Sequence, residues 1–198
     1  AEKMENPWNA DYHTNINLQM NYWLCEAADL GECHTALFDY MNEYLLPSGR
    51  LTAKKSYKCR GTVTHHLSDI YGFTTPADGL WGIWPMGGAW LAYHMWEHYL
   101  YTRDEEFLRE TAYEYIRDAA LFFMDYLFED TDGKLVTGPS MSPENEYYIG
   151  EGEARRKAYL CFGPAMDTEI ISGLLRFYIE TERLLRISPD NLAQAQRT

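Results

Sequence analysis

No window of the 198-residue sequence approaches the ~20 consecutive apolar residues of a membrane-spanning helix, and its opening AEKMENPW has no apolar run like that of a signal peptide. No membrane insertion is therefore expected, and this stretch leaves the compartment open. Positive charge is also scarce. The sequence has 17 Lys and Arg against 30 Asp and Glu, a net charge of −13. That field repels phosphate backbones and anionic lipid, so neither nucleic acid nor a membrane surface is an expected partner. Cysteine is sparse too: Cys25, Cys33, Cys59 and Cys161 form no Cys-x-x-Cys pair and are too few for a disulfide framework, which predicts buried thiols with at most one bridge. Period-2 alternation is weak throughout, with only Lys134 to Thr137 and Tyr147 to Ile149 reading as short strands, so a β-rich fold is excluded.

What remains is a soluble globular composition, 46% apolar and 24% charged, long enough for one good-sized domain. Aromatics are plentiful, with 16 Tyr, 8 Phe and 6 Trp. An acidic, aromatic-rich surface suits neutral ligands rich in hydroxyls, of which sugars are the simplest.

Helical periodicity runs through residues 16–29 (Ile16, Met20, Trp23, Leu24, Ala27), with Gly31 reading as the stop. A second run covers 33–46 and is expected to end at Pro47, Ser48 and Gly49. Runs at 88–101 and 105–129, separated by the polar TRDE, repeat this hairpin arrangement. A fifth helix fits 167–187, its end marked by Arg183, Arg186, Ser188 and Pro189. Two long stretches, 47–86 and 130–166, carry no sustained helical period, and loops of that length in a domain are usually functional. Helix hairpins with long loops gathered at one end predict an all-α toroid. Five helices are fewer than half of the twelve in a closed six-hairpin barrel, so residues 1–198 are expected to form an incomplete part of a single toroid domain.

Several short patterns carry chemistry. His94, Glu97 and His98 in HMWEH fit the H-x-x-E-H zinc-peptidase signature, although the motif lies among Trp90, Leu91, Tyr93 and Trp96 on a helix that must pack. His65, His66 and Asp69 form a second, weaker ligand-like set, which hydrogen bonding within a loop explains as well. Before the first helix, His13, Asn15 and Asn17 converge with Gln19. Alternation puts Asn15 and Asn17 on one side, where paired amides can hold a water or a sugar hydroxyl. Helix capping by Thr14 or Asn15 accounts for one of these residues but not the set. In GPSMSPENEYY, Glu144 follows Pro143, with Tyr147 and Tyr148 close in sequence, a setting in which a carboxyl loses solvation as a proton donor requires. Glu146, Glu151 and Glu153 have an equal formal claim to that role. Trp81, Trp84 and Trp90 surround glycines in WGIWPMGGAW and offer faces for stacking on a sugar, or for core packing.

Taken together, NPWNADYHTNINLQMNYW, THHLSDIYG, WGIWPMGGAWLAYHMWEHY and LVTGPSMSPENEY, with a weaker continuation through AMDTEII, resemble glycoside hydrolase family 95, the inverting α-L-fucosidases acting on α1,2-linked fucose. The resemblance covers about residues 6–185 and implies a six-hairpin (α/α)6 toroid. It also implies that Glu144 is the general acid, that Asn15 and Asn17 position the attacking water, and that His13 and Trp84 contact the fucose, with His66 and Trp90 as further contacts. HMWEH becomes a packing helix on this reading. No metal or other cofactor is required, and the partners implied are a fucosylated oligosaccharide and the remainder of the same polypeptide, which completes the barrel.

An amide cannot keep a proton, so inversion needs a second carboxylate. The resemblance implies an aspartate beyond the motifs seen here, and neither Asp167 nor Asp190 has a claim to the role. The pattern departs at Arg60, Gly61, Thr62 and Val63, where a Gly-Trp is expected before the His-His pair, and at Ala165. These departures bear on the choice between fucosides and L-galactosides, which differ at C5. Two other readings stand beside the hydrolase: an inactive or sugar-binding piece of such a barrel, and the H-x-x-E-H zinc peptidase.

Overall fold

The computed structural model describes residues 4–187 and 192–198. The helices are α1 (Asn17–Tyr22), α2 (Leu24–Ala27), α3 (Gly31–Tyr40), α4 (Leu46–Thr52), α5 (Gly87–Thr102), α6 (Glu105–Phe107), α7 (Tyr113–Tyr126), α8 (Ala165–Leu185) and α9 (Leu192–Ala195). Four antiparallel two-stranded ribbons join the loops. They pair β1 (Tyr12–His13) with β2 (Leu67–Ser68), β3 (Phe128–Glu129) with β4 (Leu135–Val136), β5 (Ser140–Met141) with β8 (Leu160–Cys161), and β6 (Tyr147–Ile149) with β7 (Arg156–Ala158). Both expected strand segments are thus present, as β4 and β6.

The expected five helical runs are also present, with shifted ends. α3 does not stop near residue 46. Wide π-turns at Met41–Leu45 and Ala53–Tyr57 bracket α4, so the helical path continues to residue 57. Pro47 is accommodated because it falls in the first turn of α4, just after the Leu46 N–H has reached back to the Met41 carbonyl across the wide turn. Gly49 is a contact glycine rather than a stop: a Cβ there would meet Thr62 Oγ1 at 2.1 Å and the Val63 carbonyl at 2.9 Å. Gly31 opens α3, and the left-handed Asp29 (φ 56°) ends the first run instead. The last long helix closes at Arg186, also left-handed. Ser188, Pro189 and Asp190 lie outside the described residues.

α5 is apolar on most of its circumference and packs against both α7 and α8, which pack on each other. α7 presents Tyr115, Ile116, Ala119, Ala120, Phe122 and Phe123 at helical spacing to this core. α8 adds Ile170, Ile171, Leu174, Leu175, Phe177 and Tyr178. The hairpin between α5 and α6 turns on the left-handed Arg103, and the Asp104 carboxylate caps the next helix by accepting from the Phe107 N–H at 3.0 Å.

The first run departs from its periodicity. Ile16, Met20, Trp23 and Leu24 are 38 to 54% exposed, while Gln19, Cys25 and Glu26 face inward. Polar partners fix that orientation: Gln19 Nε2 donates to the Thr14 carbonyl at 2.6 Å, and Glu26 accepts from two imidazoles. The helices form part of an (α/α)6 toroid, and among the described residues they do not close a barrel. No described helix is long and apolar enough to cross a membrane. The four cysteines are free thiols, Cys25 buried and Cys33 exposed.

Candidate active site

The motifs before α1, after α4, before α5 and between β5 and β6 meet at one end of the helices. Ribbon pairing brings the first two together: Tyr12 lies opposite Ser68 and His13 opposite Leu67, and the Thr14 N–H donates to the His66 carbonyl at 2.8 Å. α5 begins against this ribbon. A Cβ on Gly87 would sit 2.5 Å from both the His65 carbonyl and Thr14 Oγ1, so only glycine permits the approach. The Met141 N–H donates to the Ile83 carbonyl at 2.8 Å, which ties the Glu144 loop to the tryptophan-rich segment.

A cleft of about 480 Å³ results, lined by Trp8, His13, Asn15, Ile16, Asn17, His66, Asp78, Trp81, Pro143, Glu144 and Met166. The expected residues His13, Asn15, Asn17, His66 and Glu144 therefore share one cavity. Across 129 positions of sequence, Asn15 Nδ2 donates to Glu144 Oε1 at 3.2 Å. Asn15 and His66 are buried, whereas Asn17 and Glu144 are exposed. Two buried atoms of the lining residues, Asn15 Oδ1 and His66 Nδ1, have no hydrogen-bond partner among the described residues. Buried polar groups are seldom left so, which makes the cleft suited to a ligand that offers both donors and acceptors. Burial lowers the pKa of His66, with His13 acting the same way and the Asp78 and Glu144 carboxylates opposing. The ring is thus held toward its neutral form.

Capping does not account for the first motif. The residue preceding α1 is Ile16, which makes no side-chain cap bond, and the Thr14 hydroxyl donates to the His65 carbonyl instead. His65 is committed elsewhere: Nδ1 donates to the Thr74 carbonyl and Nε2 accepts from the Tyr57 hydroxyl, each at 2.6 Å.

Trp84 and Trp90 are not in the cleft. Trp84 is wholly buried, its indole N–H donating to Asp167 Oδ1 at 3.1 Å, and Trp90 packs edge-on to it at 6.3 Å. Asp167, also wholly buried, accepts from the Thr137 hydroxyl at 2.7 Å. Burial pushes its carboxyl above the ordinary value, although hydrogen bonds from Ser140, Thr137 and Trp84 pull the other way. The residue anchors the loop that leads to Glu144 and does not line the cleft.

Of the tryptophans in WGIWPMGGAW, Trp81 is the one that lines the cleft, where it is exposed. Trp8, Asp78 and Met166 also line it without having been singled out, although Trp8 lies inside the NPWNADYHTN string. Tyr147 and Tyr148 do not shield Glu144: the first donates its hydroxyl to the Leu160 carbonyl at 2.6 Å, and the second lies under the Arg155 guanidinium at 4.1 Å. Of the other carboxylates in that loop, Glu146 pairs with Lys157 at 2.7 Å. Arg60, at the first departure from the pattern, holds Asp125 on α7 at 2.6 Å.

The histidines of HMWEH lie away from the cleft. They meet Glu26 and His34 rather than Glu97, with 2.6 Å between His98 Nδ1 and Glu26 Oε1 and 3.0 Å between His94 Nδ1 and His34 Nε2.

Residues 1–198 match the family described as "Glycosyl hydrolase family 95 catalytic domain". The chain is 40% identical over 188 residues to "Alpha-L-fucosidase 2" of Arabidopsis thaliana, covering 94% of this chain and 22% of that protein. It is 39% identical over 150 residues to "Probable alpha-fucosidase A" of Aspergillus niger, covering 73% of this chain and 19% of that one. The chain therefore spans about a fifth of the length of these relatives. Among solved structures, the "Putative kojibiose phosphorylase from human microbiome" superposes with a TM-score of 0.58 at 12% identity, over 77% of this chain and 22% of that chain, a likeness of fold alone.

Proposed function

This chain belongs to glycosyl hydrolase family 95, and from that membership and the cleft we propose that the protein hydrolyses terminal α-L-fucosyl residues, α1,2-linked in the first instance, with inversion at the anomeric carbon. The observation that carries the reading is the Asn15 amide, which donates to Glu144 Oε1 while its own buried carbonyl oxygen has no partner among the described residues. One side chain thus touches the proposed acid and offers an acceptor to a water.

On this reading Glu144 gives its proton to the glycosidic oxygen as the C1–O bond breaks. A water held by the Asn15 and Asn17 carbonyl oxygens attacks C1 from the opposite face, and its proton passes to a second carboxylate. A neutral amide orients that water without taking the proton. The acceptor comes from the part of such relatives that this chain does not span. His13 and His66 contact the sugar hydroxyls, and Trp81 offers the cleft an aromatic face, the role expected of Trp84. Hydrolysis on these terms needs no cofactor.

Proton NMR of α1,2-fucosyllactose incubated with the protein tests the proposal. β-Fucose appearing first is the expected result for a protein carrying the complete barrel, and α-fucose appearing first would overturn the inverting assignment. If the 198-residue chain alone releases β-fucose, the base lies within it, and Asp78, the second carboxylate lining the cleft, becomes the candidate. If the complete protein binds fucose without releasing it, the sugar-binding reading replaces hydrolysis.

A further inference from the structure

The proposed hydrolysis leaves one polar cluster unused. His94 and His98 lie one turn apart on the same face of α5, where they meet Glu26 of α2 and His34 of α3. Glu26 Oε1 is 2.7 Å from His34 Nδ1 and 2.6 Å from His98 Nδ1. One ligand-capable atom from each of Glu26, His34 and His98 lies within 4.8 Å of the others. His34 is wholly buried, and its second nitrogen faces His94 Nδ1 at 3.0 Å. Aromatic walls hold the rings in place: Phe38 stacks on His34 at 4.5 Å, and Phe107 lies against His98 at 4.4 Å.

We propose that Glu26, His34 and His98 bind one Zn²⁺ that joins α2, α3 and α5, with His94 as the outer partner that orients the His34 ring. Two features support it. First, two imidazoles and one carboxylate form a zinc-type donor set, whereas calcium and magnesium prefer oxygen alone. Second, a zinc-bound histidine normally donates its other ring N–H to an acceptor, and His34 Nε2 has one in His94.

Proton accounting is specific. Without metal, the His34 Nδ1–H donates to Glu26, and its Nε2 accepts from the His94 Nδ1–H. With zinc on Nδ1, the His34 proton moves to Nε2 and donates to His94 Nδ1, whose own proton moves to its Nε2. His98 exchanges tautomer in the same sense, so no net proton is released. Zinc bonds of about 2.1 Å set neighbouring ligand atoms roughly 3.4 Å apart, so Glu26 withdraws by about 0.7 Å on binding, and water takes the fourth position.

The test adds Zn²⁺ alone to chelator-stripped protein, with calorimetry for stoichiometry, thermal melting for stabilisation and ¹⁵N NMR of the histidine rings for the tautomers. One zinc per chain, a raised Tm and Nδ1-to-Nε2 proton shifts in His34 and His98 are expected. Glu26→Gln, which keeps an acceptor for the imidazoles but removes the charge, and His98→Gln, at the solvent side, each weaken binding by at least about 10-fold while circular dichroism stays helical. Absence of stoichiometric binding, unchanged ring shifts with zinc, or undiminished affinity in both variants would overturn the site. None of these readouts depends on glycoside hydrolysis.

Discussion

The cleft and the cluster between α2, α3 and α5 both bring imidazoles toward a carboxylate, but they are built from different material. In the cleft, the carboxylate sits on a loop, is exposed, and is met by a single amide from 129 positions away, while Asn15 Oδ1 and His66 Nδ1 have no partner among the described residues. In the cluster, three helices hold the groups, and one carboxylate oxygen takes two imidazoles at 2.6 and 2.7 Å. Loops leave hydrogen-bonding capacity free for a molecule that arrives and leaves. Helices hold their polar groups against one another, and the proposed zinc would enter only by spreading them from hydrogen-bond to ligand spacing.

The largest effect expected from this contrast is in the cleft. Glu144→Gln removes the proposed proton donor and leaves the cavity in place, so turnover of natural fucosides by the complete protein should fall by about 10² to 10⁴-fold with the fold intact by circular dichroism. Unchanged turnover would reassign the acid, with Glu146 next in line despite its pairing with Lys157.

Asn15→Ala should act mainly on kcat, by about 10² to 10³-fold, because in the proposed mechanism the amide holds the acid and water rather than the bulk of the substrate. A KM effect with kcat preserved would make Asn15 a binding residue only.

A smaller effect separates structural histidines from those of the cleft. Burial holds His65 down to about 4 from its ordinary 6.5. Its folded value lies below that of the unfolded chain, so its contribution is complete above pH 6.5 and is lost as pH falls toward 4, by roughly 3 kcal/mol at most. Urea melts between pH 7 and 4.5 should show a decline that His65→Gln flattens. An equally steep decline in the variant would assign it to other groups.

The smallest change is expected at Glu97, half-buried on α5 and absent from both sites. Glu97→Gln should leave fucoside hydrolysis unchanged and stability within about 0.5 kcal/mol. Loss of a peptidase activity in that variant would revive the zinc-peptidase reading.

Much of the cleft was legible because its chemistry sits in short strings. The amides of NIN, the histidine of DYH and the glutamate of SPE each state a residue type and a local geometry. Trp84 and Trp81 show the limit: both are tryptophans flanking one glycine, and only the packing of Asp167 on the Trp84 indole N–H draws one inward and leaves the other at the cavity. The HMWEH motif shows another limit. Spacing correctly put His94 and His98 on one face, but the carboxylate they meet is Glu26, from a different helix and 72 residues from His98. The same holds for the stripe Ile16, Met20, Trp23 and Leu24. Its period is helical, yet the side turned inward was decided by polar contacts of Gln19 and Glu26.

From its sequence alone, this protein was determined to be an all-α chain of helical hairpins with two long loops, because periodicity and turn residues act within a few positions along the chain. Whether Pro47 ends a helix, which tryptophan meets the cavity, and that Asn15 touches Glu144 were decided by tertiary structure. Each depends on close packing or a hydrogen bond between segments far apart in sequence, and no local pattern encodes the distance between them.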